Sequence, residues 1–128
     1  MQPNTNEVCQ KYLDELAAAT PEITTAVVTT SDGFEVAVMQ RGGVSHAKLA
    51  AMTSAMHALG DAMVGESTLT NCQNVIVEAE TGHILMLAVP NVKEGLLLSV
   101  IADHQVTIGR LLWASKRCCR HISDELGR

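Results

Sequence analysis

Apolar residues recur with helical spacing along the stretch from about Ser45 to Gly65, which carries almost no charge. At about 100° per residue, one narrow stripe of this helix consists of large apolar side chains, namely Leu49, Met52, Met56, Leu59 and Met63. A second stripe consists of small side chains, namely Ala47, Ala51, Ser54, Ala58 and Ala62. The remaining face is polar and is expected to face water; it holds His46, Thr53, His57 and Asp61.

A helix that is apolar on nearly every side is usually buried on more than one side. We therefore expect the stripe of large side chains to pack on the sheet of its own domain. The stripe of small side chains is expected to let a second helix, from a partner, come close. The alternative is that the alanines only fill a solvent-exposed face, because alanine is a good helix former. The scarcity of charge favours the partner.

The N-terminal third of the sequence predicts a short helix followed by a hairpin. Asn4, with Glu7 three residues later, resembles a capping box, and Pro21 ends the helix that begins there. The segment Ile23–Thr30 is rich in β-branched residues and predicts a strand. A turn at Gly33 then leads into a second strand, FEVAVMQ.

The C-terminal half predicts three further strands and a closing helix. The segments CQNVIVEAE and HILMLAVP form a second hairpin around Thr81 and Gly82, and LLLSVIA forms a fifth strand. The last two of these strands are apolar on both faces, which predicts helices on both sides of the sheet. A third helix is expected from about Asp103 to Leu126. The resulting order is αββαβββα, an α+β domain.

Composition limits the possible functions. With 128 residues, 47% of them hydrophobic, the chain fits one compact domain spanning residues 1–128. A formal net charge of -5, no run of Lys or Arg and only 2% aromatic residues argue against a nucleic-acid partner. No apolar stretch is long enough to span a membrane, and the start MQPNTNEV lacks the features of a signal peptide. We expect a cytoplasmic protein.

The residues that usually carry chemistry do not form a recognisable site. Four cysteines and five histidines lack the spacing of a zinc site. Gly65 to Thr68 resembles the end of a phosphate-binding loop, but the lysine is missing. Cys72 is the only cysteine in a loop-like setting, and a structural role is favoured for it. We predict no enzyme activity, no cofactor and no metal.

The order of these segments resembles the Roadblock family (dynein light chain roadblock, light-chain-seven type), especially its stand-alone prokaryotic members similar to the gliding-motility regulator B proteins. The resemblance rests on Leu13 to Leu16 ahead of Pro21, AVVTTSDGFEVA, the Leu-Ala-Ala start of the long helix, VIVEAETGHILMLAVP, and Gly109-Arg110-Leu111. It implies a Roadblock/profilin-like layout: a five-stranded antiparallel sheet in the order 2-1-5-4-3. The first and last helices would cover one face and the long helix the other.

The resemblance also implies a homodimer and a partner. In the family, two subunits join through their third strands and long helices, which here gives an interface of Ala47, Ala51, Ser54, Ala58, Ala62, Val75 and Val77. Such members bind small Ras-like GTPases on the surface of the paired long helices, as activators or scaffolds. The residues expected to contact the GTPase are His46, Thr53, His57 and Asp61.

Alternatives to this hypothesis are a structural adaptor in a larger signalling or transport assembly and, more remotely, a small-molecule sensor. The sensor lacks support because no polar or aromatic residues converge in the sequence. If the protein activates a GTPase, it could order the GTPase's own switch segments. An arginine supplied in trans is the sharper alternative. Arg41 and Arg110 are the arginines closest to predicted element ends.

Overall fold

The computed structural model describes residues 4–127, and these residues form three helices and one five-stranded antiparallel sheet. The elements in chain order are α1 (Thr5–Ala19), β1 (Ile23–Thr30), β2 (Glu35–Gln40), α2 (His46–Gly65), β3 (Asn74–Ala79), β4 (Gly82–Val89), β5 (Leu96–Asp103) and α3 (Ile108–Leu126). The strand order is β2-β1-β5-β4-β3. The α+β fold and the strand order predicted above are confirmed. Residues 1–3 of the N-terminal segment MQPNTNEV, which was compared above with a signal peptide, lie outside the described residues.

The two faces of the sheet are covered very unequally. Helices α1 and α3 pack on one face, where Leu13, Leu98, Leu111 and Ile122 are completely buried within a large aliphatic cluster. On the opposite face, α2 contributes only a small cluster built on Val27. Most of the hydrophobic free energy of folding therefore comes from the α1/α3 side.

Each helix begins at a side chain that caps its first turn. The Asn4 Oδ1 atom accepts hydrogen bonds from the backbone N–H groups of Asn6 and Glu7, at 3.0 and 3.3 Å. Ser45 caps α2 and Thr107 caps α3 in the same way. The caps predicted at Asn4 and Ser45 are confirmed.

Helix α3 begins five residues later than Asp103, where the sequence placed its start. Asp103 still belongs to β5 and pairs with Gly82 of β4. The N-cap is supplied by Thr107, whose side chain accepts from the Arg110 N–H at 3.2 Å. The prediction of the start was wrong because the extended backbone of β5 and the capping chemistry outweigh the helical spacing.

Glycine is required at Gly33 and at Gly82, in the two hairpins, for different structural reasons. Gly33 has φ of 89° and takes the left-handed turn conformation that the sequence predicts. Gly82 is not a turn residue, because it is the first residue of β4. A Cβ atom added to Gly82 would lie 2.2 Å from the Ala102 carbonyl oxygen. Glycine is needed there for the close approach of β4 to β5.

Candidate functional site

Helix α2 packs on the sheet through small and polar side chains rather than through its stripe of large ones. Its buried residues are Leu49, Ala50 and Thr53. Met52, Leu59 and Met63 are instead 57%, 55% and 67% exposed. The expectation that the whole large stripe packs on the sheet is therefore wrong, because only Leu49 is buried and Met56 is half-buried.

The outward side of α2 is an almost purely apolar surface, which we call the α2 face. Its exposed side chains are all apolar except Lys48: Ala47, Lys48, Ala51, Met52, Ala55, Ala58, Leu59, Ala62 and Met63. Lys48 and Asp61 are the only Lys, Arg, Asp or Glu residues in the whole helix. Contiguous exposed apolar surface of this kind marks sites of interaction with other molecules. Four of the five small residues predicted for an interface lie on this face; Ser54 is half-buried.

Two of the four residues on the polar side of α2, Thr53 and His57, do not face water. Thr53 is completely buried, and its hydroxyl donates to the Leu49 carbonyl at 2.7 Å within the helix. The His57 side chain is only 16% exposed, and its Nε2 atom lies 3.3 Å from an Asp61 carboxylate oxygen. Within residues 4–127 the His57 Nδ1 atom is buried without a hydrogen-bond partner. The solvent-facing role expected for this side is wrong for Thr53 and largely wrong for His57.

His46 and Asp61 do remain accessible at the border of the α2 face. The Asp61 side chain is 54% exposed and that of His46 is 44% exposed. The Nδ1 atom of His46 lies 2.6 Å from Oε1 of Glu35, so the start of α2 is tied to β2. Two of the four residues predicted to contact a partner therefore satisfy the requirement of exposure.

The hairpin between β1 and β2 extends this accessible surface. Ser54 donates a hydrogen bond to the carbonyl oxygen of Ser31 in the turn. A Cβ atom added to Gly33 would contact Ala51 at 3.4 Å, which shows how closely the turn approaches α2. Phe34, at the end of the turn, is 70% exposed. Sequence reasoning missed Phe34, although it is the only phenylalanine and follows directly on the turn glycine.

Strand β3 forms one edge of the sheet beside α2. Val75 and Val77 are half-buried and lie on the α2 side of the sheet. A Cβ atom added to Gly60 of α2 would approach the Val75 side chain to 3.2 Å and the Cys72 sulfur to 2.9 Å. Gly60 thus brings α2 against β3, so that the α2 face and the β3 edge are neighbours.

The two edges of the sheet differ in how their backbone is protected. On β2, the Gln10 side chain donates to the Val38 carbonyl at 3.0 Å and accepts from the Val38 N–H at 3.3 Å. Both backbone groups are thereby paired as another strand would pair them. No side chain of residues 4–127 makes such a pair of bonds with a residue of β3. Unprotected edges are available for pairing with another chain.

The cysteine thiols and the side chains that could bind a metal do not form a reactive site in residues 4–127. Cys9, Cys118 and Cys119 are buried, and desolvation raises the pKa of Cys9 to about 11 and that of Cys118 to about 12. Such thiols stay protonated and are poor nucleophiles. Among residues 4–127, no three His, Cys, Asp or Glu side chains are grouped so that they could hold a metal ion. No helix in this part of the chain is long and apolar enough to cross a membrane.

Arg41 is engaged within its own domain. Its guanidinium donates to the carbonyl oxygens of Ala17 and Pro21, at 2.6 and 3.0 Å. These bonds satisfy one carbonyl in the last turn of α1 and one just beyond the helix, where a cation is also favoured by the helix dipole. Arg41 therefore has a capping role that would have to be given up before it could reach into a partner's site.

Residues 4–127 therefore form a small α+β domain: an antiparallel sheet with two helices on one face and, on the other, one helix whose outer side is exposed and mostly apolar. The sequence model of the Roadblock/LC7 domain matches residues 10–102, and the chain belongs to this family. No curated protein sequence matches the chain.

Solved structures share the fold over nearly the whole chain. The gliding protein MglB from Thermus thermophilus has a TM-score of 0.84 at 16% identity, covering 98% of this chain and 93% of that one. MglB from Myxococcus xanthus has a TM-score of 0.82 at 14% identity, with 97% and 91% covered. A Roadblock/LC7 domain from Streptomyces avermitilis has a TM-score of 0.81 at 19% identity, with 93% and 98% covered. A profilin from Schizosaccharomyces pombe is also similar, with a TM-score of 0.66 at 13% identity over 90% of this chain and 96% of the profilin.

Proposed function

We propose that this protein is a cytoplasmic, non-enzymatic homodimer that regulates a small Ras-like GTPase, as an activator or a scaffold. The observation that carries the proposal is the exposed α2 face, which is apolar along the helix apart from Lys48, in a member of the Roadblock/LC7 family. A contiguous exposed apolar surface of this length is typical of a site that binds another molecule. Family members of this kind are expected to cover it with a second subunit and with the GTPase.

The proposed dimer joins two copies through the α2 face and the β3 edge. The alanines of the face, with Ala58 near its centre, allow two helices to approach closely. Val75 and Val77 lie beside them because Gly60 brings α2 against β3. The protection of the β2 edge by Gln10 supports this choice, because it leaves β3 as the edge without such a cover.

The proposed GTPase surface lies on the paired helices and the adjoining hairpin. We assign the contacts to the accessible residues, His46, Asp61 and Phe34, together with the parts of the α2 face that the second subunit leaves open. Thr53 and His57, expected earlier to contact the GTPase, are proposed to support this surface from beneath. An exposed aromatic residue with neighbouring polar groups is typical of the energetically important part of an interface.

The test is affinity capture from the native cell lysate with the immobilised protein, in the presence of GTP or GDP analogues, followed by mass spectrometry. We expect a small GTPase to be retained mainly in one nucleotide state. Asp61→Lys should abolish its retention, whereas Glu94→Lys, an exposed charge reversal on the loop before β5, should not. Nucleotide hydrolysis by the purified pair then distinguishes an activator from a scaffold.

Two outcomes would contradict the proposal. Retention of a large assembly regardless of nucleotide would favour the structural adaptor instead. Failure to retain any GTPase in either nucleotide state, with a dimer that is intact in solution, would refute the regulatory function while leaving the proposed dimer in place.

A further inference from the structure

Helix α3 carries a second unusual surface, on the opposite face of the sheet from α2. Arg110, Trp113, Arg117 and Arg120 are all exposed and recur at intervals of three and four residues, so they form one line along the helix. We call this line the α3 stripe. At 1.5 Å per residue it is about 15 Å long. It contains the only tryptophan of the chain, and that side chain is 61% exposed.

The charge of this surface contrasts with that of the whole chain. The chain has a formal net charge of -5, but α3 contains four of its nine Lys and Arg residues, Lys116 included. The acidic residues of α3 are Asp124 and Glu125, both near its C-terminal end. The α3 stripe is therefore a local positive surface on an acidic protein, and it favours a negatively charged partner.

A cleft runs beside the α3 stripe, between α3 and α1. Its volume is about 500 Å³, and Trp113 and Arg117 form one wall while Tyr12, Leu16 and Ala19 of α1 lie opposite. The Arg117 guanidinium lies 5.5 Å from the centre of the Trp113 ring. Because cation–π contact holds an arginine over the indole, the two side chains present an apolar surface and a positive charge together.

The cleft is held in shape by contacts between its two helices. Tyr12 donates a hydrogen bond to Glu125, and the Lys11 ammonium lies 2.7 Å from the same carboxylate. The rings of Tyr12 and His121 pack 5.2 Å apart, measured between centroids. A preformed cleft loses less conformational entropy on binding than one that must be ordered by its ligand.

We propose that the α3 stripe and its cleft bind an acidic amphipathic peptide segment of a partner protein. An apolar side chain of the peptide enters the cleft against Trp113, while its carboxylates pair with Arg110, Arg117 and Arg120. The concave cleft favours a peptide over a membrane surface, because a flat bilayer could contact the cations but could not fill the cleft. Glu15 on the α1 wall also opposes the binding of a uniformly anionic surface.

This site is independent of the proposed GTPase surface. Helices α2 and α3 lie on opposite faces of the sheet, so dimerisation through α2 leaves both α3 stripes exposed. A homodimer would present two such sites and could bind two copies of the peptide segment. The site would then link whatever binds on α2 to a second protein.

The test is selection of random 12-residue peptides displayed on phage against the full-length protein. We expect the recovered peptides to be enriched in Asp and Glu together with large apolar residues. Binding should shift the emission of Trp113, the only tryptophan, to shorter wavelength. Calorimetry should show at least about 10-fold weaker binding for Arg117→Glu and for Trp113→Ala, since Trp and Arg dominate interface energies.

Matched controls separate this result from loss of folding or loss of the dimer. Lys93→Glu makes the same reversal from positive to negative charge as Arg117→Glu, but on an exposed loop, and this variant should bind the peptides as the original protein does. A substitution on α2 that breaks the dimer should also leave peptide binding unchanged. Far-ultraviolet circular dichroism verifies that each variant is folded. The proposal is overturned if no acidic peptides are enriched, or if Arg117→Glu binds them normally. It is also overturned if Trp113 responds to phosphatidylglycerol vesicles but to none of the peptides.

Discussion

Replacing Ala58 by glutamate is expected to turn the proposed homodimer into a monomer. Ala58 is exposed on the stripe of small residues of the α2 face, beside the stripe that carries the large exposed side chains of Met52, Leu59 and Met63. Complete burial of a Met or Leu side chain contributes about 1.5–3 kcal/mol. Because each of the three is slightly more than half exposed, covering them in both protomers provides roughly 5–11 kcal/mol.

That gain is of the same order as the cost of association, about 4–15 kcal/mol. The dimer therefore depends also on close helix packing and on pairing of the β3 edges, and it has little free energy to spare. In a symmetric interface the substitution brings two carboxylates together within apolar surface, a repulsion of several kcal/mol. A loss of about 4 kcal/mol raises the dissociation constant about 1,000-fold.

The assay is light scattering coupled to size-exclusion chromatography at micromolar concentration. The original protein should elute as a dimer and Ala58→Glu as a monomer. Ala18→Glu, at an exposed alanine of α1, is the matched control and should remain dimeric. Both variants should keep the circular dichroism of the original protein, because neither alanine is part of the core. A dimer of unchanged affinity in Ala58→Glu would refute the assignment of the α2 face.

Three further predictions concern stability. Gly82→Ala should lower the free energy of unfolding by roughly 2–3 kcal/mol, because its Cβ meets the β5 backbone. Gly109→Ala, in open space on a helix, should instead raise it by about 0.5–1 kcal/mol. Equal urea midpoints for the two variants would contradict this prediction. Gln10→Leu removes both hydrogen bonds to Val38, which costs about 1 kcal/mol of local stability. Hydrogen exchange of the Val38 amide proton, measured by NMR, should therefore accelerate roughly 5-fold. Unchanged exchange would be inconsistent with protection of the β2 edge by Gln10. Burial raises the pKa of Cys118 from 9.0 to about 12, so its contribution to stability is complete below pH 9 and is lost as the pH rises from there towards 12. Over that range Cys118→Ala should make the decline of unfolding free energy shallower by up to about 1.4 kcal/mol per pH unit, and an identical slope would be evidence against the raised pKa.

Most of the fold follows from local chemistry that the sequence displays. Strand β1 has the bounds that its β-branched run predicts, and the caps at Asn4 and Ser45 begin their helices as expected. The strand order came from resemblance to the family, since spacing alone does not determine which strands are neighbours. The start of α3 was misplaced because helical periodicity continues into residues that β5 holds in an extended conformation.

Part of the candidate site could not be predicted, because a hydrophobic pattern does not say which surface covers which side of a helix. Helix α2 is apolar nearly all round, and the largest side chains were expected to face its own sheet. The structure instead places Ala50 and Thr53 there. The Thr53 hydroxyl needs no water, because it bonds to the Leu49 carbonyl of its own helix. Its polarity was therefore a misleading sign of exposure.

The same reversal explains why α2 is suited to association. Small side chains on its inner side, including Gly60, let the helix lie close to the sheet and to Val75 without a thick aliphatic layer. The large flexible side chains of Met52 and Met63 are then left on the outside, 57% and 67% exposed, so most of their apolar surface is not buried in the isolated domain. Methionine adapts its shape to different neighbours. Such a helix keeps apolar surface exposed, and burial of that surface by a partner would then contribute to the free energy of binding. On this physical basis we assign α2 to self-association and to the GTPase.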